Sequence, residues 1–277
     1  MSTAVAEADP ATSAVAFNHQ KQLKHGLTPG QLEQFRDIGY VVLRGQFPAE
    51  DARRWQEAAD TLSARADLVD KNNLRVSLAK EQNSDRKLVW KFDPFVDISE
   101  TFGQLSRDRR LLDPLASIYD GFEPRLFKDK LIFKPAGTEG SHLHQDYNWW
   151  QGYPRSLISV LVAIDPADAS NGATELFPDR TRALLTTPGR MNDKIKEEQI
   201  DLARGEMIET TPGDVVLFNC FVPHRAGRNN SNRTRRQIFF TYNDARDGEF
   251  YQSHRDHYCW YVTRHLPEGE RGEKYFR

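Results

Sequence analysis

No stretch of some 18 apolar residues occurs in the 277 positions of this chain, which excludes a membrane-spanning helix. Neither sign of charge is in excess, with 38 Lys and Arg against 40 Asp and Glu, so no basic field exists to draw in nucleic acid or an anionic membrane surface. Cysteine is scarce. Cys220 and Cys259 have neither the dense, even spacing of a disulfide framework nor the paired spacing of a zinc ribbon, and a reducing cytoplasm is the expected location. Met1 to Phe17 is rich in Ala, Ser and Thr but lacks the basic region and apolar core of a signal peptide. Residues 1–26 are expected to form a disordered tail, and 27–277 a single domain. No internal repeat or low-complexity tract is present.

What is present is enough apolar material for a large core and a pattern that changes midway along the chain. Leu27-Thr28-Pro29-Gly30-Gln31-Leu32 reads as a helix start, with Thr28 as N-cap, Pro29 at the first helical position and Gln31 closing a capping box. That helix ends at Gly39 and leads into a short β-rich run, Tyr40 to Arg44. A longer helix runs from Pro48 to about Ala66, with Trp55, Ala58, Ala59 and Leu62 on one face. Residues 67–97 are polar and have no clear period. Helical spacing returns over 98–120, with a break expected at Pro114. From Leu126 the texture becomes short β-rich runs separated by Gly, Pro, Asn and Asp: 128–134, 142–150, 157–164, 173–177, 206–210, 214–218 and 237–242. Such a series indicates a sandwich or barrel. Residues 178–205 form a charged insertion, read either as a mobile lid or as a solvated loop.

The chemistry is carried by His144-Gln145-Asp146 and a distant His224. In a strand, residues two apart share a face, so His144 and Asp146 can present a nitrogen and a carboxylate oxygen to one point. His142 has the same parity, so spacing alone leaves it as an alternative. A third ligand from a distant strand, His224 after the run Pro212 to Phe218, completes a two-histidine, one-carboxylate facial triad. That set leaves three positions of an octahedral ion for a chelating co-substrate and dioxygen, which suits Fe(II). Arg235, eleven residues on, leads into another strand and can clamp a remote carboxylate by two parallel hydrogen bonds. By the same alternation, Asn148 and Trp150 are the residues expected to line the substrate space.

These motifs, with Phe35 to Arg44, Lys130-Leu131-Ile132-Phe133-Lys134-Pro135, Asn171-Gly172 and Pro212-Gly213-Asp214, resemble the phytanoyl-CoA dioxygenase family of Fe(II)/2-oxoglutarate oxygenases over most of the chain. The resemblance favours His144 over His142 as ligand. It implies a mainly β fold with flanking helices, a double-stranded β-helix of the jelly-roll or cupin-like type. It also implies Fe(II), 2-oxoglutarate and O2 as the reacting set, with succinate and carbon dioxide released as a substrate C–H bond is hydroxylated or otherwise oxidised. Lys130 matches a basic position in bacterial members and is expected to reach the 2-oxoglutarate. Two departures stand out: Ala226 replaces the Ser that often contacts the co-substrate two residues after the distal histidine, and Leu161 stands where some relatives line that pocket with an aromatic ring.

Rival readings are a zinc hydrolase or lyase on the same triad, which has no need of Arg235, and a non-catalytic jelly-roll binding protein, which has no reason to combine three ligands with an arginine. A halogenase of this fold has a small residue in place of the carboxylate, against which Asp146 speaks. His254, His257 and His265 are expected to be exposed and not ligands. Arg225, Arg228, Arg233 and Arg236 tilt the expected small-molecule substrate towards a carboxylate, phosphonate or phosphate.

Overall fold

The computed structural model describes residues 23–80, 85–190 and 193–276. Of the expected tail, residues 1–22 lie outside that set. Residues 23–26 are not loose: His25 N–H donates to Asp113 and Leu27 N–H to Ser117, both at 3.0 Å. Helix α1 (Pro29–Ile38) starts as its sequence dictates, with Gln31 N–H on Thr28 Oγ1 and Thr28 N–H on Gln31 Oε1. It stops at Gly39, whose φ of 87° lets its N–H turn back to the Phe35 carbonyl. Strand β1 (Tyr40–Leu43) and helix α2 (Ala49–Ser63) follow.

The unassigned polar stretch folds as a hairpin, β2 (Val76–Lys80) with β3 (Lys87–Phe92). Helices α3 (Glu100–Leu105) and α4 (Arg109–Ile118) come next, and Pro114 does not break α4. Proline costs a helix the hydrogen bond to the carbonyl four residues back. Here that carbonyl, Arg110 O, is taken by Gln46 Nε2 at 2.7 Å, so the loss is made good from outside.

The strands that follow are β4 (Pro124–Lys134), β5 (Ser141–His144), β6 (Ile158–Ala163), β7 (Thr174–Leu176), β8 (Glu206–Ile208), β9 (Val215–Asn219), β10 (His224–Ala226) and β11 (Arg235–Asp244). They pair in two sheets, β1-β9-β6-β11-β4-β3-β2 and β5-β10-β7-β8, antiparallel throughout. This is the double-stranded β-helix. Alternation along the central strands divides the core: Val160, Val162, Leu217, Ile238 and Phe240 pack outward against α1 to α4, while Leu161, Ala163, Val216 and Phe218 face inward toward the second sheet. The chain ends in α5 (Tyr251–Thr263) and α6 (Glu268–Arg271). No helix among the described residues is long and apolar enough to cross a membrane.

The segment 178–205 is held by hydrogen bonds to the residues around the His-x-Asp motif. Gln145 Nε2 donates to Ala183 O and its Oε1 accepts from Leu185 N–H, while Gln151 Oε1 accepts from Gly189 N–H. None of its described residues lines the large cavity, and these bonds make it a buttress of the motif.

Candidate metal centre and cavity

Strand β5 ends at His144, and residues 146–149 turn into one 3-10 coil, so strict alternation fails beyond the motif. Gln145 keeps extended backbone, with φ −111° and ψ 134°, and that one residue carries Asp146 back to the side of His144. Across the sheet, β10 pairs with β5 so that His224 is the direct partner of His144. A nitrogen of each histidine and a carboxylate oxygen of Asp146 lie within 4.8 Å of one another. Nε2 of His144 is 3.9 Å, and Nε2 of His224 3.8 Å, from Asp146 Oδ1.

The hydrogen bonds fix which atoms are free. Nδ1 of His144 lies 2.7 Å from the His142 carbonyl and Nδ1 of His224 lies 2.9 Å from the Val222 carbonyl. A proton on each Nδ1 satisfies those contacts and leaves both Nε2 lone pairs facing Asp146. Burial, and then His224, pushes His144 down to about 3; burial likewise lowers His224. Both are neutral at pH 7, as metal ligands must be. Burial disfavours the Asp146 carboxylate, but His224, Lys130, His144 and the Ser159 hydroxyl outweigh it and hold Asp146 below the usual carboxylate range. Ser159 Oγ donates to Oδ2 at 2.6 Å, so Oδ1 is the oxygen left for an ion. His142 contributes its carbonyl, and its ring stays exposed. Two neutral imidazoles and one ionised carboxylate on one point are the donor set of an Fe(II) facial triad.

The triad opens on a cavity of about 490 Å³. At one end stands Arg235, 4% exposed, with one guanidinium nitrogen on the Gly172 carbonyl at 2.9 Å and Nε without a partner. Burial pushes it down to about 10, still protonated at neutral pH. A buried cation with an unused donor is incomplete without an anion. Its neighbour across the strands is Lys134, pushed down to about 8 by burial and by Arg235, with its amine on the Gly227 carbonyl. Gly172, at φ 73°, belongs to this packing, because a Cβ there would collide with the Gly227 carbonyl and the Lys134 amine. Thr174, the strand partner of Ala226, brings a hydroxyl to the same wall.

Other expected site residues fall differently. Lys130 lines the cavity two turns of the pleat from Lys134, with its amine 4.9 Å from the Phe239 ring and burial lowering its affinity for a proton. Trp150 lines the cavity. Asn148 does not: it is 1% exposed, accepts from Thr186 Oγ1 at 2.7 Å and donates to the Asp193 carbonyl, because the 3-10 turn rotates it toward the buttress segment. The arginines around His224 also face elsewhere, Arg225 onto Glu175, Arg228 onto Glu139 and Arg236 onto Asp165 and Asp60. Sequence reasoning missed Lys134, Thr174 and the cavity wall made by His254, His257, Tyr258 and Tyr261. The wall was detectable as an i, i+3, i+4, i+7 face of aromatic and imidazole side chains.

Residues 35–237 match the family described as phytanoyl-CoA dioxygenase. A 2-aminoethylphosphonate dioxygenase from uncultured bacterium HF130_AEPn_1 is 28% identical over 230 residues, covering 80% of this chain and 84% of that protein. An ectoine dioxygenase from Sphingopyxis alaskensis is 25% identical over 236 residues, covering 77% and 74%. The crystal structure of EctD from S. alaskensis with bound Fe superposes with a TM-score of 0.69 at 25% identity, over 80% of this chain and 78% of that one. With its fold, its buried two-histidine, one-carboxylate cluster and these relatives, the chain belongs to the phytanoyl-CoA dioxygenase family and is an Fe(II)- and 2-oxoglutarate-dependent dioxygenase acting on a small molecule.

Proposed function

We propose that His144, Asp146 and His224 hold the Fe(II), that Arg235 and Lys130 bind 2-oxoglutarate, and that the enzyme hydroxylates a small anionic metabolite in the cytoplasm. The observation that carries this reading is the pairing, in one cavity, of three converging ligand atoms with a buried guanidinium that has an unused donor. Bound there, Fe(II), 2-oxoglutarate and O2 supply the oxidant for a C–H bond, with succinate and carbon dioxide as co-products.

The side chains do the rest. The His142 and Val222 carbonyls orient the two imidazoles, and Ser159 orients Asp146. Arg235 takes the distal carboxylate of 2-oxoglutarate, with Lys134 beside it, and Thr174 supplies the hydroxyl that Ala226 cannot. Lys130, lying between the triad and the outer cavity, faces the carboxylate next to the metal. Trp149, edge-on to His144 at 5.1 Å between ring centroids, and Trp150 wall the reacting carbon from water. Relatives that act on a phosphonate, 2-aminoethylphosphonate and methylphosphonate, are in keeping with a small anionic substrate. Two free cysteines, one fully buried, suit a reducing compartment.

The test is a screen of carboxylates and phosphonates with anaerobically Fe(II)-loaded enzyme, 2-oxoglutarate and labelled dioxygen. One labelled oxygen in the product and one in succinate is the expected result. Turnover with zinc and without dioxygen would defeat it.

A further inference from the structure

Beyond the triad the cavity continues to an outer end walled by β3, the start of β4 and one face of α5. Asp93 lies there with its side chain 5% exposed and takes two ammonium groups at once: Lys128 Nζ at 2.8 and 2.9 Å from its oxygens, and Lys91 Nζ at 3.1 Å. Two cations on one carboxylate leave one positive charge over. A purely structural ion pair needs only one lysine. The next inward-facing cation on β4, Lys130, has no ion pair among the described residues. Asp146, the nearest remaining acid, is committed to the metal.

Asp129, beside the cluster, spends its oxygens on the Phe95 and Val96 N–H groups and the Tyr251 hydroxyl and makes no ion pair with either lysine. From α5, the Tyr258 ring stands 5.4 Å from Lys91 Nζ and 5.1 Å from Lys128 Nζ. His254 and His257 of the same helix also line the cavity, as does Trp90. The two lysine side chains keep 17% and 11% exposure, and both line the cavity. Surplus charge held in a largely desolvated site costs free energy unless an anion completes it.

We infer that the Lys91–Asp93–Lys128 cluster is the substrate-recognition subsite: it receives an oxyanion of the prime substrate, a carboxylate or a phosphonate, and so sets which C–H bond faces the triad. The inference rests on the metal and co-substrate reading above. Lys128 and Lys130 are successive inward positions on β4, roughly 7 Å apart, and the cluster and the triad line one cavity of about 490 Å³, which suits a compact metabolite.

The experiment uses full-length enzyme loaded with Mn(II) and saturating 2-oxoglutarate, titrated calorimetrically with methylphosphonate, with propionate and with the neutral ester dimethyl methylphosphonate. At least one oxyanion should bind one to one and the ester should not; whichever oxyanion binds tighter identifies the class. Lys128→Met and Lys91→Met should each weaken that binding at least tenfold, and Lys128→Arg should recover most of it. If Lys128→Met does not fold by circular dichroism, Lys91→Met, nearer the cavity mouth, decides. Loss of Mn(II) or 2-oxoglutarate binding by the wild type would remove the underlying reading instead. The inference is overturned if loading is intact and any of three results appears: neither oxyanion binds, the ester binds as well, or both methionine variants bind like wild type.

Discussion

The two ends of the cavity are built by different means. At the inner end every chemical group but Asp146, which follows β5 directly, sits on a paired strand: His144 opposite His224, Thr174 opposite Ala226, Lys134 opposite Arg235. Strand register fixes those neighbours, and a slip of one residue would turn each side chain to the wrong face. At the outer end the groups come from the end of β3, the start of β4 and α5, and α5 meets those strands by side-chain packing, Tyr258 on Lys91 and His254 on Phe127 at 4.4 Å between centroids. The inner end is therefore suited to chemistry that cannot change, and the outer end to recognition that can be altered by repacking one helix.

The largest expected effect breaks the inner end outright. Alanine at His144, Asp146 or His224 removes a ligand from a site worth several kcal/mol of catalysis, so turnover should fall roughly a thousandfold or more. Mn(II) binding followed by electron paramagnetic resonance should fail in parallel. His142→Ala, which keeps its carbonyl, should bind metal nearly as wild type; loss of metal there would move the ligand assignment.

Arg235→Ala comes next. A charge-assisted hydrogen bond contributes about 1.5–3 kcal/mol, which is roughly 10- to 150-fold in affinity for 2-oxoglutarate. Arg236→Ala should leave that affinity alone, since Arg236 points the other way along β11 to Asp165 and Asp60. Equal loss in the two variants would mean that the register of β11 does not set the anchor. Gln145→Ala is smaller and sharper. Gln145 ties Phe221 O, three residues before His224, to the buttress at Ala183 and Leu185. Removing such a support costs about 10- to 100-fold in metal affinity, and the same variant should expose 178–205 to protease. Weak metal binding with an intact buttress would show that the two are not coupled.

The contrast between the ends is also the contrast between what the sequence disclosed and what it hid. The motif His144-Gln145-Asp146, His224 and Arg235 was legible because strand alternation and chain order carry the information locally. So was the Thr28–Gln31 cap. Alternation was pushed too far at Asn148, where the chain had already left the strand. It also gave no sign of Lys134, whose role depends on which β11 residue lies opposite. Pro114 was misread as a break because its compensation comes from Gln46, 68 positions earlier in the chain. The α5 wall was detectable as a helical face but not in its placement: polar and aromatic residues on a helix do not reveal what they will face.

The smallest effect at neutral pH separates the two ends by titration. Burial pushes His254, at the outer end, down to about 3 from its usual 6.5, with Lys128 adding to the shift. As pH falls through 6.5 the unfolded chain takes up a proton at this residue and the folded chain does not. The fold therefore loses stability below that point, by about 1.4 kcal/mol per pH unit per such histidine, or about 2 kcal/mol by pH 5. His144 and His224 act in the same direction at the inner end, but they do so equally in any variant that leaves them intact. His254→Phe keeps an aromatic ring against Phe127 and Tyr153 and removes one titrating group. Urea unfolding of the two proteins from pH 7.5 to pH 5 should then give stability curves that converge or cross toward low pH, the variant gaining about 2 kcal/mol relative to wild type over that range. Parallel curves would mean that His254 is protonated as readily in the folded protein as in the unfolded one. Helix α5 would then not seal the outer end, and recognition there would have to be open to solvent.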